Sequence, residues 1–332
     1  MLSKFIPPAI RMLAVWTLSC GSIHAQELPK LNIEGSGITV SGLSSGGYMA
    51  VQLHVAHSLT FSGVGVIAGG PYHCAASTLW LNTWTATNHC MDFDDWITFW
   101  GPPNAAYAVT SAVREATAKR IDPLVGLKND RAYLFSGSRD TRVPTSVMDS
   151  LRDFYQALMD ETGIQTRQDV AAGHAMITEN FGTTECASSR PPYINDCDFD
   201  LAGEMLNHLY GTLQPPVEQI ETNLAEFDQR PYTNGAVGMN ALGHVYVPAA
   251  CAAGEACRLH VALHGCRQYQ EAIGDAFYGH AGFNRWAEAN HMVVLYPQAA
   301  PYTYGWFSWP NPNGCWDWWG YSSSDFHVQA AP

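Results

Sequence analysis

The chain has 332 residues, 47% of them hydrophobic and only 14% charged, with a formal net charge of −13. A chain of that length and composition buries a large core and fits one large α/β domain or two smaller ones. Its excess of acid excludes nucleic acid and anionic membrane surfaces as natural partners.

Residues 1–25 read as an export signal rather than as structure. Lys4 and Arg11 form a basic leader, Met12–Leu18 a short apolar core, and Ile23-His24-Ala25 a cleavage site before Gln26. The apolar run is too short to span a bilayer, and no later stretch resembles a membrane span. Cys20 raises a lipoprotein anchor as an alternative, but Thr17-Leu18-Ser19 is a poor lipobox. The expected location is secreted or periplasmic. The catalytic part is expected to be a single domain over residues 26–332, since no linker, repeat or low-complexity tract interrupts it.

The first strand is expected at Gly37–Leu43, running into Gly42-Leu43-Ser44-Ser45-Gly46 and then an apolar helix from Gly47. This is G-x-S-x-G in a strand–turn–helix context. A serine on such a sharp turn projects its Oγ into a cleft, and the glycines remove Cβ atoms that the turn cannot accommodate. Further strands are expected at Gly63–Ala68, Arg131–Ser136 and Ile164–Val170, with helices at Ala105–Arg120 and Thr145–Asp160. In the second helix Val147, Leu151, Phe154, Leu158 and Met159 form one apolar stripe. Leu201–Tyr210 is another helix, and Gly211–Pro216 a surface break. Strands follow at Ala236–Val247, Arg258–Leu263 and His291–Tyr296, the last two flanking a helix at about Gly279–Asn290. This alternation predicts a mostly parallel central sheet flanked by helices. The sequence stops soon after Ser322–Phe326, where a closing helix is expected, so a longer natural C-terminus is anticipated.

Nine cysteines are present, and Cys20 falls in the signal. An even remainder in an exported chain reads as disulfides. Many connectivities are open; nearest-neighbour pairing is the simplest and gives Cys74–Cys90, Cys186–Cys197, Cys251–Cys257 and Cys266–Cys315. Zinc is disfavoured because no C-x-x-C pair exists.

A serine nucleophile needs a base and a carboxylate that fixes the base's tautomer. In α/β-hydrolases the chain order is Ser, acid, His, with acid and histidine on loops after strands. Asp140, in the turn after Tyr133-Leu134-Phe135, and His174, after Ala171-Ala172-Gly173, fill that order with Ser44. The expected oxyanion hole is the backbone N–H groups of Ser45 and Cys266, the latter in Leu263-His264-Gly265-Cys266. In an ordinary α/β-hydrolase that loop precedes the nucleophile; here it follows it far downstream, which predicts circular permutation of the fold. A Cys266–Cys315 bridge would hold the loop rigid.

The segments Gly42–Ala50, Gly137–Pro144, Ala172–Ala175, Leu263–Gln268 and Asn313–Tyr321 resemble the circularly permuted, single-domain poly(3-hydroxybutyrate) depolymerases. These are exported serine esterases related to the feruloyl and acetylxylan esterases. The resemblance covers nearly the whole mature chain. It implies an α/β-hydrolase fold and hydrolysis of short-chain polyhydroxyalkanoates, with a polyester or oligoester as substrate and no metal or other cofactor. Trp306, Trp309, Trp316, Trp318 and Trp319, with Tyr302, Tyr304, Phe307 and Tyr321, form an aromatic cluster. Trp316, Trp318 and Trp319 are candidate substrate-binding residues on an apolar rim, against the alternative that they fill the core. The rival readings are a feruloyl or acetylxylan esterase and a non-catalytic binding protein on the same scaffold; the intact Ser–Asp–His set argues against the second. The oligomeric state is open.

Overall fold

Successive residues of one short strand show how the chain makes its two cores. In Arg131–Phe135 the side chains of Ala132 and Leu134 join one buried cluster, and those of Tyr133 and Phe135 the other. This is the period-two alternation of a strand covered on both faces. The computed structural model describes residues 27–78, 82–91, 101–182, 184–303 and 311–330. The signal segment, and Tyr304, Trp306, Phe307 and Trp309 of the aromatic cluster, lie outside the described residues.

In chain order the strands are β1 (Ile38–Leu43), β2 (Phe61–Ile67), β3 (Arg131–Phe135), β4 (Ile164–Arg167), β5 (Met176–Thr178), β6 (Thr184–Glu185), β7 (Ile194–Asp196), β8 (Leu224–Asp228), β9 (Leu242–Tyr246), β10 (Arg258–Leu263) and β11 (Met292–Tyr296). Among the described residues one sheet has the order β4-β3-β2-β1-β10-β11-β9-β8, and β5-β7-β6 form a small second one. Neighbours in the large sheet pair in parallel except at β9, which runs against β11 and β8. Helix α1 (Ser45–Ala56) covers one face through Val51 and Val55, and Thr145–Gln156 covers it through Met148, Leu151 and Phe154. Leu201–Tyr210 covers the opposite face through Met205, Leu206 and Leu209. The result is the α/β-hydrolase fold expected from the sequence.

Several expected elements need correction; the helix expected to reach Arg120 ends at Thr117, and the strand expected to reach Val170 ends at Arg167. The strand expected over Ala236–Val247 is limited to Leu242–Tyr246, because Gly235 and Gly238 turn the chain at φ of 76° and 79°. The helix expected over Gly279–Asn290 is two short ones, Ala276–His280 and Phe283–Ala289, broken at Gly282 with φ 96°. The helix from Thr145 ends at Gln156, short of Asp160. The strand β8 and the small sheet went unread because their segments are short and partly polar.

Four disulfides are present: Cys74–Cys90, Cys186–Cys197, Cys251–Cys257 and Cys266–Cys315. Each joins sequence neighbours, the simplest pairing. Among the described residues no helix is long and apolar enough to cross a membrane.

Candidate active site

The site is built where β1 ends. Ser44 has φ 56° and ψ −120°, a conformation that costs a non-glycine residue about 1–3 kcal/mol. The turn is pinned on both sides: the Ser44 N–H donates to Ile67 O at 2.9 Å, and the Tyr48 N–H to Ser44 O at 2.9 Å. A Cβ on Gly42 would stand 2.2 Å from the Gly46 carbonyl carbon, so the turn closes only over glycine. A Cβ on Gly46 would stand 2.4 Å from Leu263 O and 2.5 Å from His264 O. The second glycine therefore lets the loop after β10 lie against the serine turn.

The acid and the histidine come together because β3 and β4 are neighbours. Past the strands their loops stay zipped: Ser138 N–H donates to Val170 O at 2.8 Å, and Arg139 N–H to Ala172 O at 3.0 Å. Asp140 Oδ1 accepts from the N–H groups of Arg142 at 2.8 Å and Val143 at 3.0 Å. Its Oδ2 lies 2.7 Å from His174 Nδ1. A carboxylate only accepts, so Nδ1 carries the proton and Nε2 is left with its lone pair. The Asp140 side chain is fully buried and that of His174 is 10% exposed, so the imidazole has one edge in a shielded hydrogen bond to the carboxylate and the other toward the cleft. His174 N–H donates to Ser189 Oγ at 2.8 Å, and Gly173 N–H to Cys186 O at 2.8 Å, which ties the histidine loop to the Cys186–Cys197 bridge.

Ser44 and His174 line one cleft of about 250 Å³ with Met91, Tyr193, Cys266 and Gln268. That is smaller than the roughly 300–1,000 Å³ of typical small-molecule pockets. Among the described residues the Ser44 hydroxyl makes no hydrogen bond, including none to His174; such contacts are often long until a substrate tightens them. The N–H groups of Ser45 and Cys266 also find no acceptor among the described residues.

The loop that carries Cys266 is braced by residues whose part the sequence did not reveal. Gln268 is buried; its Oε1 accepts from Gly265 N–H at 2.7 Å, and its Nε2 donates to Pro192 O at 3.0 Å and Tyr193 O at 3.1 Å. It clips the loop after β10 to the opposite wall of the cleft. His264 Nδ1–H donates to Gly265 O at 2.7 Å, and its Nε2 accepts from Ala299 N–H at 3.0 Å. Burial pulls the His264 imidazole down to about 4, outweighing the bond to Gly265, which raises it. His260, between Thr39 Oγ1 at 2.7 Å and Ser41 Oγ at 2.8 Å, is pulled down by burial to about 3.

A pH dependence follows from these two histidines. Both are neutral when folded and bind a proton near pH 6.5 when unfolded. Their contribution is complete above about pH 6.5 and is lost as pH falls toward about 4 and 3. Each costs up to about 1.4 kcal/mol per pH unit across its window. The melting temperature is expected to fall steadily from pH 7 to pH 4; a flat profile over that range would contradict it.

Of the two readings of Trp316, Trp318 and Trp319, cleft rim or core, the packing of the first two favours the core. None of them lines the cleft. Trp316 is buried, and its Nε1–H donates to His264 O at 2.9 Å, so it braces the loop from behind. Trp318 is buried and stacks on Tyr48, with ring centroids 3.9 Å apart at 13°. Trp319 is half-buried, and its Nε1 is enclosed without a partner among the described residues. Apolar area is better used between α1 and the C-terminal segment than in water. Trp318→Ala is expected to cost about 3–5 kcal/mol of stability. It should lower activity on a polymer and on a small soluble ester by the same factor; a loss confined to the polymer would restore the rim reading.

No family model matches the chain. A poly(3-hydroxybutyrate) depolymerase of Delftia acidovorans is 43% identical over 99% of this chain, which spans only 64% of that relative's length. A polyhydroxybutyrate depolymerase of Talaromyces funiculosus is 36% identical, with 93% of this chain and 90% of the relative covered. The crystal structure of a PHB depolymerase from Penicillium funiculosum superimposes with a TM-score of 0.82 at 36% identity, covering 92% of this chain and 94% of that one. A serine-to-alanine PHB depolymerase complexed with an R3HB trimer matches with the same TM-score of 0.82.

Proposed function

The chain belongs to the polyhydroxybutyrate depolymerase family, and from that premise we propose that it is an exported serine esterase hydrolysing ester bonds of poly(3-hydroxybutyrate) and related short-chain polyhydroxyalkanoates. The observation that carries this reading is the His174 imidazole, held at Nδ1 by the buried Asp140 carboxylate at 2.7 Å with its other edge in the cleft of Ser44.

In this mechanism Ser44 Oγ attacks the ester carbonyl while His174 Nε2 takes its proton. Asp140 keeps the imidazole in the productive tautomer and stabilises the imidazolium. The carbonyl oxygen, now an oxyanion, is received by the N–H groups of Ser45 and Cys266, which lack other acceptors among the described residues. Ser45 adds the positive end of the α1 dipole. His174 then gives its proton to the leaving hydroxyl. Water, deprotonated by the same Nε2, hydrolyses the acyl-enzyme and frees Ser44. Gln268, His264 and Trp316 keep the Cys266 loop aimed, so little reorganisation is needed as charge develops. All these groups come from the chain itself.

We read residues 26–332 as one catalytic domain after a signal at 1–25, and the sheet as circularly permuted. The support is that β1, first in sequence, lies inside the sheet beside β10, which brings the oxyanion loop from the far end of the chain. Secretion or periplasmic export is supported by the four disulfides. The substrate is tested by measuring release of 3-hydroxybutyrate from amorphous poly(3-hydroxybutyrate) beside hydrolysis of methyl ferulate. Release from the polyester supports the reading; inactivity there with turnover of the ferulate moves the chain to the feruloyl esterases.

A further inference from the structure

The residue after Cys266 is an arginine. Arg267 is exposed and lines the cleft with Ser44 and His174. Arg142 lines it too, and among the described residues no aspartate or glutamate does. Arg267 is also held in place. Its N–H donates to Asn313 O at 2.7 Å, and its Nε–H to Asn313 Oδ1 at 2.9 Å. The terminal guanidinium nitrogens make no ion pair among the described residues. The backbone has φ 63°, which glycine or asparagine would adopt more cheaply than arginine. The Nε–H is committed to Asn313, and the two terminal nitrogens can still serve a bidentate acceptor.

Linear oligoesters of hydroxy acids supply that acceptor in one place only. Each scissile ester joins an acyl half, which goes onto the serine, to a hydroxyl of the leaving half. The chain's free carboxylate always lies on the leaving half. We propose that Arg267 binds this terminal carboxylate and makes the site selective for ester bonds close to the carboxylate end of an oligomer. The proposal rests on the polyester reading above and names the form of substrate it favours. Arg267 makes no contribution of this kind at a bond deep inside a polymer, where no carboxylate is near.

The test compares kcat/KM for the linear 3-hydroxybutyrate trimer as free acid and as methyl ester, which share scissile bonds but differ in the terminal charge. Wild type should prefer the acid, and 0.5 M NaCl should reduce the preference, as expected for a solvent-accessible charge pair. Arg267→Gln should lower the acid-to-ester ratio by about fivefold, the upper range for an exposed ion pair, mainly through KM of the acid. Arg267→Lys, which keeps the charge but neither the fork nor the Nε–H bond to Asn313, should retain only part of the ratio. The same acid-to-ester ratio in wild type and Arg267→Gln would overturn the proposal, because equal losses on both trimers mean that Arg267 only supports its loop. Equal use of both trimers by wild type would overturn it while leaving the polyester reading intact. A wild type that cleaves neither trimer nor the polymer would overturn both.

Discussion

Ser44→Ala is expected to lower ester hydrolysis by about 10⁴- to 10⁶-fold while leaving the fold in place. The loss is large because the hydroxyl forms the covalent bond; nothing else in the cleft replaces it. The fold survives because the hydroxyl makes no hydrogen bond among the described residues, and alanine tolerates φ 56° about as poorly as serine does. Hydrolysis of p-nitrophenyl butyrate and thermal unfolding, measured on the same preparation, check both halves. A folded variant with near wild-type turnover would remove Ser44 from the mechanism.

Asp140→Asn should reduce kcat by about 10⁴-fold, although it changes one atom. The reason lies in the two N–H groups that Asp140 Oδ1 accepts, from Arg142 at 2.8 Å and Val143 at 3.0 Å. They fix which way the amide faces: its oxygen takes the two donors and its NH₂ replaces Oδ2 opposite His174 Nδ1. That NH₂ donates, so Nδ1 must accept, and the imidazole proton moves to Nε2. A histidine protonated there cannot take the proton of Ser44. KM should change far less than kcat, since the cleft walls are untouched. A loss of under tenfold would mean that the carboxylate does not set the tautomer.

Much of this site was readable in the sequence because its demands are local. Gly42 and Gly46 flank Ser44 for steric reasons that act within a few residues and one adjoining loop, so the motif in its strand–helix context points to the turn. Asp140 and His174 could be proposed as loop residues after strands. Their contact depends on the pairing of β3 with β4, which periodicity does not specify. Gln268 has no legible role in the Leu263–Gln268 segment, since its partners Pro192 and Tyr193 are far away in sequence. The tryptophans were left between rim and core for the opposite reason. Aromatic content says that apolar area must be covered, but only the packing of Trp318 on Tyr48 and the bond from Trp316 to His264 say by what. The broken helix at Gly282 and the shortened strand before Leu242 were marked by glycines whose positive φ could not be told from ordinary tolerance of glycine in those segments.

The central claim is that Ser44 carries the acyl group during polyester hydrolysis. It is tested most directly by titrating the enzyme with a p-nitrophenyl phosphonate and locating the adduct by peptide mass spectrometry, while following 3-hydroxybutyrate release from amorphous polymer. The account predicts one adduct, on the peptide containing Ser44, and polymer hydrolysis that falls in proportion to its occupancy. A single adduct elsewhere, or full polymer hydrolysis with Ser44 completely modified, would contradict it.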